Sequence, residues 1–209
     1  MKDSYGRQPA GRTKATNRRQ ELELEDPTRR VDWKEEVISW IKVIITAALI
    51  AFVLNTFIIA NSKVPSGSME NTIMTGDRVI GLRLAYRFGE PEFGDVAIFR
   101  FPDDPEIYYV KRIIGVPGDI IDIYDGHVYR NGSEVPLDEP YLKEPMVQAP
   151  PLHYEVPADH YFALGDNRNL SADARVWINT YVPKEYMIAK VYFRYYTRTK
   201  GEKPFKWVK

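Results

Sequence analysis

From Val43 to Ala60 the chain reads VIITAALIAFVLNTFIIA, without a charge, and the apolar run extends back through VISWI with Lys42 as its one interruption. A helix needs about 20 largely apolar residues to cross a bilayer. Thr46, Asn55 and Thr56 do not fall into the polar stripe that a helix of a soluble core carries, so the pattern predicts a membrane span over 37–60. Beyond it the period shortens. RVIGLRL (78–84), DVAIFRF (95–101), IYYVKRIIG (107–115), DIIDIY (119–124), HVYR (127–130) and MIAKVYFRYY (187–196) are rich in Val, Ile, Tyr and Phe and are broken by Gly, Pro, Asp and Asn. Such runs predict an antiparallel β domain. Asn131-Gly132 is the strongest hairpin signal. Pro136, Pro140, Pro145, Pro150, Pro151 and Pro157 exclude a central strand, so a hairpin and Pro-rich insertion, capping the sheet, is expected over 131–160.

Residues 1–36 are polar and charged, with almost no apolar periodicity until Trp33, and read as a disordered arm. That arm is longer than a signal-peptide n-region and the apolar run exceeds the usual ~7–15-residue h-region, so an uncleaved anchor is expected. Arg29, Arg30, Lys34 and Lys42 favour a cytoplasmic N-terminus with the domain of 61–196 outside. The tail, 197–209, continues an alternation of Tyr, Phe and Trp with Lys and Arg. This suits a membrane interface, a reader of single-stranded nucleic acid, or an ordinary final strand that frays. With an anchor already in the chain, the interface is preferred.

Twenty-nine basic and 29 acidic residues leave no net charge, which removes the electrostatic case for a nucleic-acid partner. With no cysteine there is no thiol chemistry, disulfide or cysteine-bound metal, and His127, His153 and His160 have no ligand spacing for zinc. No dinucleotide, P-loop or nucleophile-elbow motif occurs, so neither cofactor nor metal is expected.

What remains is VPSGSMENT (64–72). Serine is a weak nucleophile until a base activates it, and glycine lets backbone approach a substrate closely. Alone, Ser66-Gly67-Ser68 reads equally as a linker. Lys111 lies inside an apolar strand, where burial would lower its pKa and leave a neutral amine able to accept a hydroxyl proton. Strand alternation leaves open whether Lys111 or Arg112 points inward. GDNRNLSADAR (165–175) is dense in turn formers, suited to holding an amine or to a plain surface loop.

VPSGSMENT, GDVAIFRF, YYVKRIIGVPGD and ALGDNRNLSADAR, in this order after one anchor, resemble the successive blocks of the type I signal peptidases, membrane-bound Ser/Lys proteases. The resemblance implies a mainly β, antiparallel, barrel-like catalytic domain with one N-terminal transmembrane helix. It implies an endopeptidase in a bacterial cell membrane, acting on the signal peptides of preproteins and working against the lipid bilayer without a cofactor. Ser68 would be the nucleophile, Lys111 the general base, and Ser66 an oxyanion donor. Ser171 would orient the amine, and Asp166, Asp173 and Arg175 would brace the loop. Val64, Pro65, Met69, Ile73, Tyr109 and Val110 would line shallow pockets for small side chains before the cleavage site. Asn71, Leu170 and Ala174 depart from the usual proline, asparagine and serine, and VWINTYVPKEY is longer than the typical run. Two other readings share parts of this pattern: a self-cleaving Ser/Lys protease, and a non-enzymatic single-span receptor or scaffold. Nothing in the chain indicates an oligomeric state.

Overall fold

The computed structural model describes residues 33–208. Most of the expected disordered arm, residues 1–32, lies outside the described residues. Its last four residues do not form part of an arm: helix α1 starts at Trp33, runs to Val53, and continues through a π-helical stretch, Leu54–Ile58. Glu35 and Glu36 in its first turn complement the helix dipole. The apolar helix is therefore 26 residues long, Trp33–Ile58, about 39 Å at 1.5 Å per residue. It begins and ends earlier than the expected 37–60. Ile59 and Ala60 belong to a strand, because a run of β-branched residues reads equally well as either element. The chain divides into two units, one through Ala48 and one from Leu49 onward.

The second unit is built on antiparallel sheets. Its strands are β1 (Ile59–Lys63), β2 (Arg78–Leu82), β3 (Val96–Phe101), β4 (Asp104–Gly115), β5 (Ile120–Tyr124), β6 (His127–Arg130), β7 (Leu152–Glu155), β8 (His160–Leu164), β9 (Val182–Pro183), β10 (Met187–Tyr196) and β11 (Lys206–Trp207). The larger sheet runs β1-β2-β10-β3-β4-β8-β9, with β11 added to β10, and the smaller runs β6-β5-β7. The predicted runs around β3, β4, β5, β6 and β10 match within three residues at either end.

Two expectations need correction, and two others gain detail. RVIGLRL stops being a strand at Leu82, where Arg83–Phe88 form helix α2 from good helix formers. The tail contributes a short strand, since β11 pairs with β10 and Trp207 meets the edge of Phe193. The Pro-rich insertion contains β7, which obeys the proline rule by sitting at a sheet edge. Asn131-Gly132 does form a turn, with φ of 57° and 68°, but no strand follows it. Asn131 instead accepts from Ile120 N through its side chain and donates its own N–H to Ile120 O. The hairpin between β5 and β6 is closed by Asp125-Gly126, φ 49° and 74°, the other dipeptide suited to a two-residue turn.

Two apolar clusters result. The larger gathers Phe99, Ile113, Ile121, Tyr161, Phe162, Leu164 and Trp177; the smaller gathers Met69, Ile73, Val79, Ile98 and Val191. From Lys111 onward β4 is buried on both faces. The alternative posed by strand alternation therefore dissolves, because both Lys111 and Arg112 are inside.

Candidate active site

β4 is flanked by β3 as far as Arg112 and by β8 from Arg112 onward, with Ala97 opposite Lys111 and Leu164 opposite Arg112. The chain leaving β8 at Gly165 therefore arrives beside both cations. The segment after β1 comes to the same place: Asn167 donates its N–H to Ser68 O at 3.0 Å and its Nδ2 to Gly67 O at 2.9 Å.

In this setting Lys111 Nζ donates to Ser68 Oγ at 2.6 Å. Both residues are buried, with 4% and 5% of their surfaces exposed. Ser66 Oγ lies 3.3 Å from Ser68 Oγ. Burial lowers the Lys111 pKa from 10.5 to about 8, against the pull of the Asp173 and Asp166 carboxylates and with help from Arg175. Burial outweighs the carboxylates because each has a cation of its own. Asp166 receives Arg112 Nε and Nη2 at 2.9 and 2.7 Å and Thr72 Oγ1 at 2.5 Å. Asp173 receives Arg175 at 2.8 Å and Gly165 N at 3.1 Å.

The other expected residues are distributed unevenly. Val64, Pro65, Tyr109 and Val110 line a cleft of about 270 Å³ together with Ser66, Ser68 and Lys111. Met69 and Ile73 do not: both are fully buried in the smaller core. Ile107, Tyr108, Leu170 and Ala172 line the cleft in their place. Ser171 Oγ is buried but has no hydrogen-bond partner among the described residues, so the structure does not bring it into a bond with the amine. Asp166 is not part of the Asp173–Arg175 pair, its cation being Arg112.

Several contributors carried no sequence signal. The side chain of Arg168 is bidentate to Glu139 of the insertion at 2.5 and 3.0 Å and also holds Gly165 O at 3.0 Å. The Tyr141 ring covers the Arg112 guanidinium at 3.8 Å. Asn71, where resemblance led one to expect proline, has φ 88°, which proline's ring does not permit. Its Nδ2 donates to Tyr141 O and Leu142 O, both at 3.1 Å. The departure is thus a latch between the serine segment and the insertion. A buried residue far away in sequence leaves no periodicity to read, but an arginine or aspartate in a hydrophobic run is the signal to seek, since it is rarely buried unpaired.

A family model described as signal peptidase, peptidase S26, matches residues 37–196. The chain belongs to the signal peptidase family. Among its relatives, a probable signal peptidase I-2 of Synechocystis sp. is 36% identical over 163 residues, covering 74% of this chain and 71% of the relative. A probable signal peptidase I-1 of the same organism is 32% identical and covers 75% and 81%. Signal peptidase IB of Staphylococcus aureus (strain COL) is 31% identical and covers 78% and 91%. The chain is accordingly a peptidase that cleaves signal peptides from preproteins, and its apolar helix Trp33–Ile58 is long enough to anchor it in a membrane. The cleft around Ser68 and Lys111 lies within the segment that the signal peptidase model matches.

Proposed function

We propose that this signal peptidase uses Ser68 as nucleophile and Lys111 as general base and acid, at the outer surface of a bacterial cell membrane. The observation that carries the reading is the 2.6 Å approach of Lys111 Nζ to Ser68 Oγ in a buried setting. With the amine neutral, the sense of that bond reverses. Ser68 donates its proton, Oγ attacks the scissile carbonyl, and the resulting ammonium returns the proton to the leaving amine. Water then releases the acyl group by the same relay. Ser66 Oγ, beside Ser68 Oγ, supplies a donor to the oxyanion together with Ser68 N–H, a contribution of about 2.7–4 kcal/mol per donor. The Asp166–Arg112 and Asp173–Arg175 pairs hold the loop of 165–175 and spend the carboxylates that would otherwise keep Lys111 charged.

The substrate binds as an extended segment. Tyr108–Val110 pair with β3 along one edge, and β8 takes up the other edge only from Arg112, so the free edge faces the cleft among the described residues. A peptide laid there gains main-chain hydrogen bonds in the manner of strand addition. Its side chains meet Val64, Pro65, Tyr109 and Val110, whose shallow walls suit small residues.

Arg29, Arg30, Lys34 and Lys42, before and within the first half of the helix Trp33–Ile58, favour an N-terminus in the cytoplasm and the β domain outside. Phe205 and Trp207, both exposed, and the neighbouring lysines then meet the lipid interface.

The test is a pH profile of kcat/KM on a preprotein. With the base titrating at about 8, the rate rises about tenfold per unit up to that pH and levels off above it, since only the neutral amine accepts a proton. A profile flat between pH 6 and 8 rules Lys111 out as the base.

A further inference from the structure

One row across the larger sheet is chemically out of place. Lys63 of β1 is opposite Arg78 of β2, and Arg78 is opposite Tyr196 of β10. Opposed residues of an antiparallel pair project from the same face, with Cβ atoms about 4.5–5.5 Å apart, and like charges so placed destabilise the sheet. These three, with Gly76, Tyr195 and Arg198, line one pocket. Lys63, Arg78 and Arg198 are all exposed, and none makes an ion pair or side-chain hydrogen bond with any described residue. The acids nearest in sequence are occupied: Asp77 and Glu202 both bind Arg194, at 3.0 and 2.6 Å. Gly76 leaves the floor open, with the Arg198 stem over it, 3.4 Å from where a Cβ would stand.

We propose that this pocket binds the phosphate of an anionic phospholipid headgroup. Three cations converge without a counter-ion among the described residues, and two are arginines, whose planar forks match phosphate oxygens. The lipid source follows from the chain. The apolar helix ends at Ile58, and Lys63 comes five residues later, a reach of at most ~18 Å at about 3.3–3.6 Å per residue. Tyr195 and Tyr196, which also line the pocket, are side chains of the kind that settle at the headgroup level. The inference rests on reading Trp33–Ile58 as the membrane anchor. Its consequence is that the domain has a preferred seat on an anionic surface, with strands β1, β2 and β10 turned toward it.

The experiment uses the full chain in nonionic detergent at constant ionic strength. It is titrated with dihexanoyl phosphatidylglycerol, dihexanoyl phosphatidylcholine and sodium phosphate in turn, and binding is followed by tryptophan fluorescence or calorimetry. Phosphatidylglycerol saturates the protein, and the other two bind at least tenfold more weakly. Arg78→Gln/Arg198→Gln lowers the phosphatidylglycerol affinity at least tenfold, and Lys63→Gln alone lowers it at least threefold. Lys200→Gln/Lys203→Gln, which removes the same charge outside the pocket, changes it less than twofold. The pocket variant, relieved of like-charge repulsion, unfolds without lipid at or above the wild-type temperature. Equal losses in the two double variants overturn the site in favour of diffuse attraction, and phosphate binding as tight as phosphatidylglycerol overturns the lipid assignment. The anchor is read separately by flotation with phosphatidylcholine vesicles. A chain that floats but does not distinguish headgroups sinks the pocket alone, whereas a chain that fails to float sinks the anchor.

Discussion

Ser68→Ala and Lys111→Met each lower kcat on a preprotein by on the order of 10⁴–10⁶-fold, and the double variant is no slower than either single one, because groups that act as a unit are lost as a unit. The two variants differ in stability. In the folded protein the Lys111 pKa is lowered from 10.5 to about 8, so the unfolded chain holds the proton more tightly. With 1.36 kcal/mol per unit, the charged amine costs the fold on the order of 3 kcal/mol at neutral pH. The sign follows from the depressed value: the cost is fully present below about pH 8 and fades as pH rises from there toward 10.5. Methionine has a similar length and no charge to desolvate. Lys111→Met therefore melts above the wild type at pH 7, and the gap closes above pH 10. Ser68→Ala gains nothing comparable. Thermal melts at the two pH values, beside preprotein cleavage read by mass, decide the matter. A Lys111→Met protein that melts below the wild type at pH 7 sinks the buried-amine account, and one that still cleaves sinks the base assignment.

How much of this was written in the sequence depends on the range of the interaction. The apolar helix and the runs that became β3 to β6 and β10 were legible because period and composition are local. Ile59–Ala60 was misplaced because an apolar β-branched run carries no mark of where helix gives way to strand. β8, HYFAL, carries little signal of its own because it is only five residues long and lacks the β-branched run of its neighbours, although the turn formers from Gly165 mark its end; yet it delivers Gly165 to the site. Ser68 and Lys111 stood out only through resemblance, since alternation could not place Lys111. The answer lay in β8, which covers β4 from Arg112 and makes both cations interior. Met69 and Ile73 were assigned to the cleft by position in a motif, but a motif does not say which face of a turn is solvent. The roles of Glu139, Tyr141 and Asn71 could not be read at all, because each depends on the insertion meeting a distant part of the chain, 29 residues away for Glu139 and Arg168 and 70 for Asn71 and Tyr141.

Gly165→Ala adds a single methyl group outside the dyad and still disables the site. Gly165 needs no unusual dihedral; what it needs is room. A Cβ there would stand 2.2 Å from Ser171 Oγ, 2.6 Å from Ser171 Cβ and 2.5 Å from Ser68 O. A serine hydroxyl can rotate away, but a Cβ and a main-chain carbonyl move only with their backbone. Ser68 O is also held by Asn167 N, two residues along the same loop, so the strain passes into the segment that carries the nucleophile. Overpacking of this kind costs about 1–3 kcal/mol of stability. The rate suffers more, because a displacement of ~1 Å at a reacting group costs about 10²-fold. The expected result is a folded protein with kcat on a preprotein reduced at least a hundredfold. Adding Ser171→Gly removes two of the three collisions and leaves the one with Ser68 O. The double variant should therefore recover most of the melting temperature and little of the rate. Gly165→Ala retaining kcat within a few fold of wild type would show that Ser68 is not held by this loop, whereas recovery of the rate with Ser171→Gly would mean that the hydroxyl contact, not the carbonyl, transmits the strain.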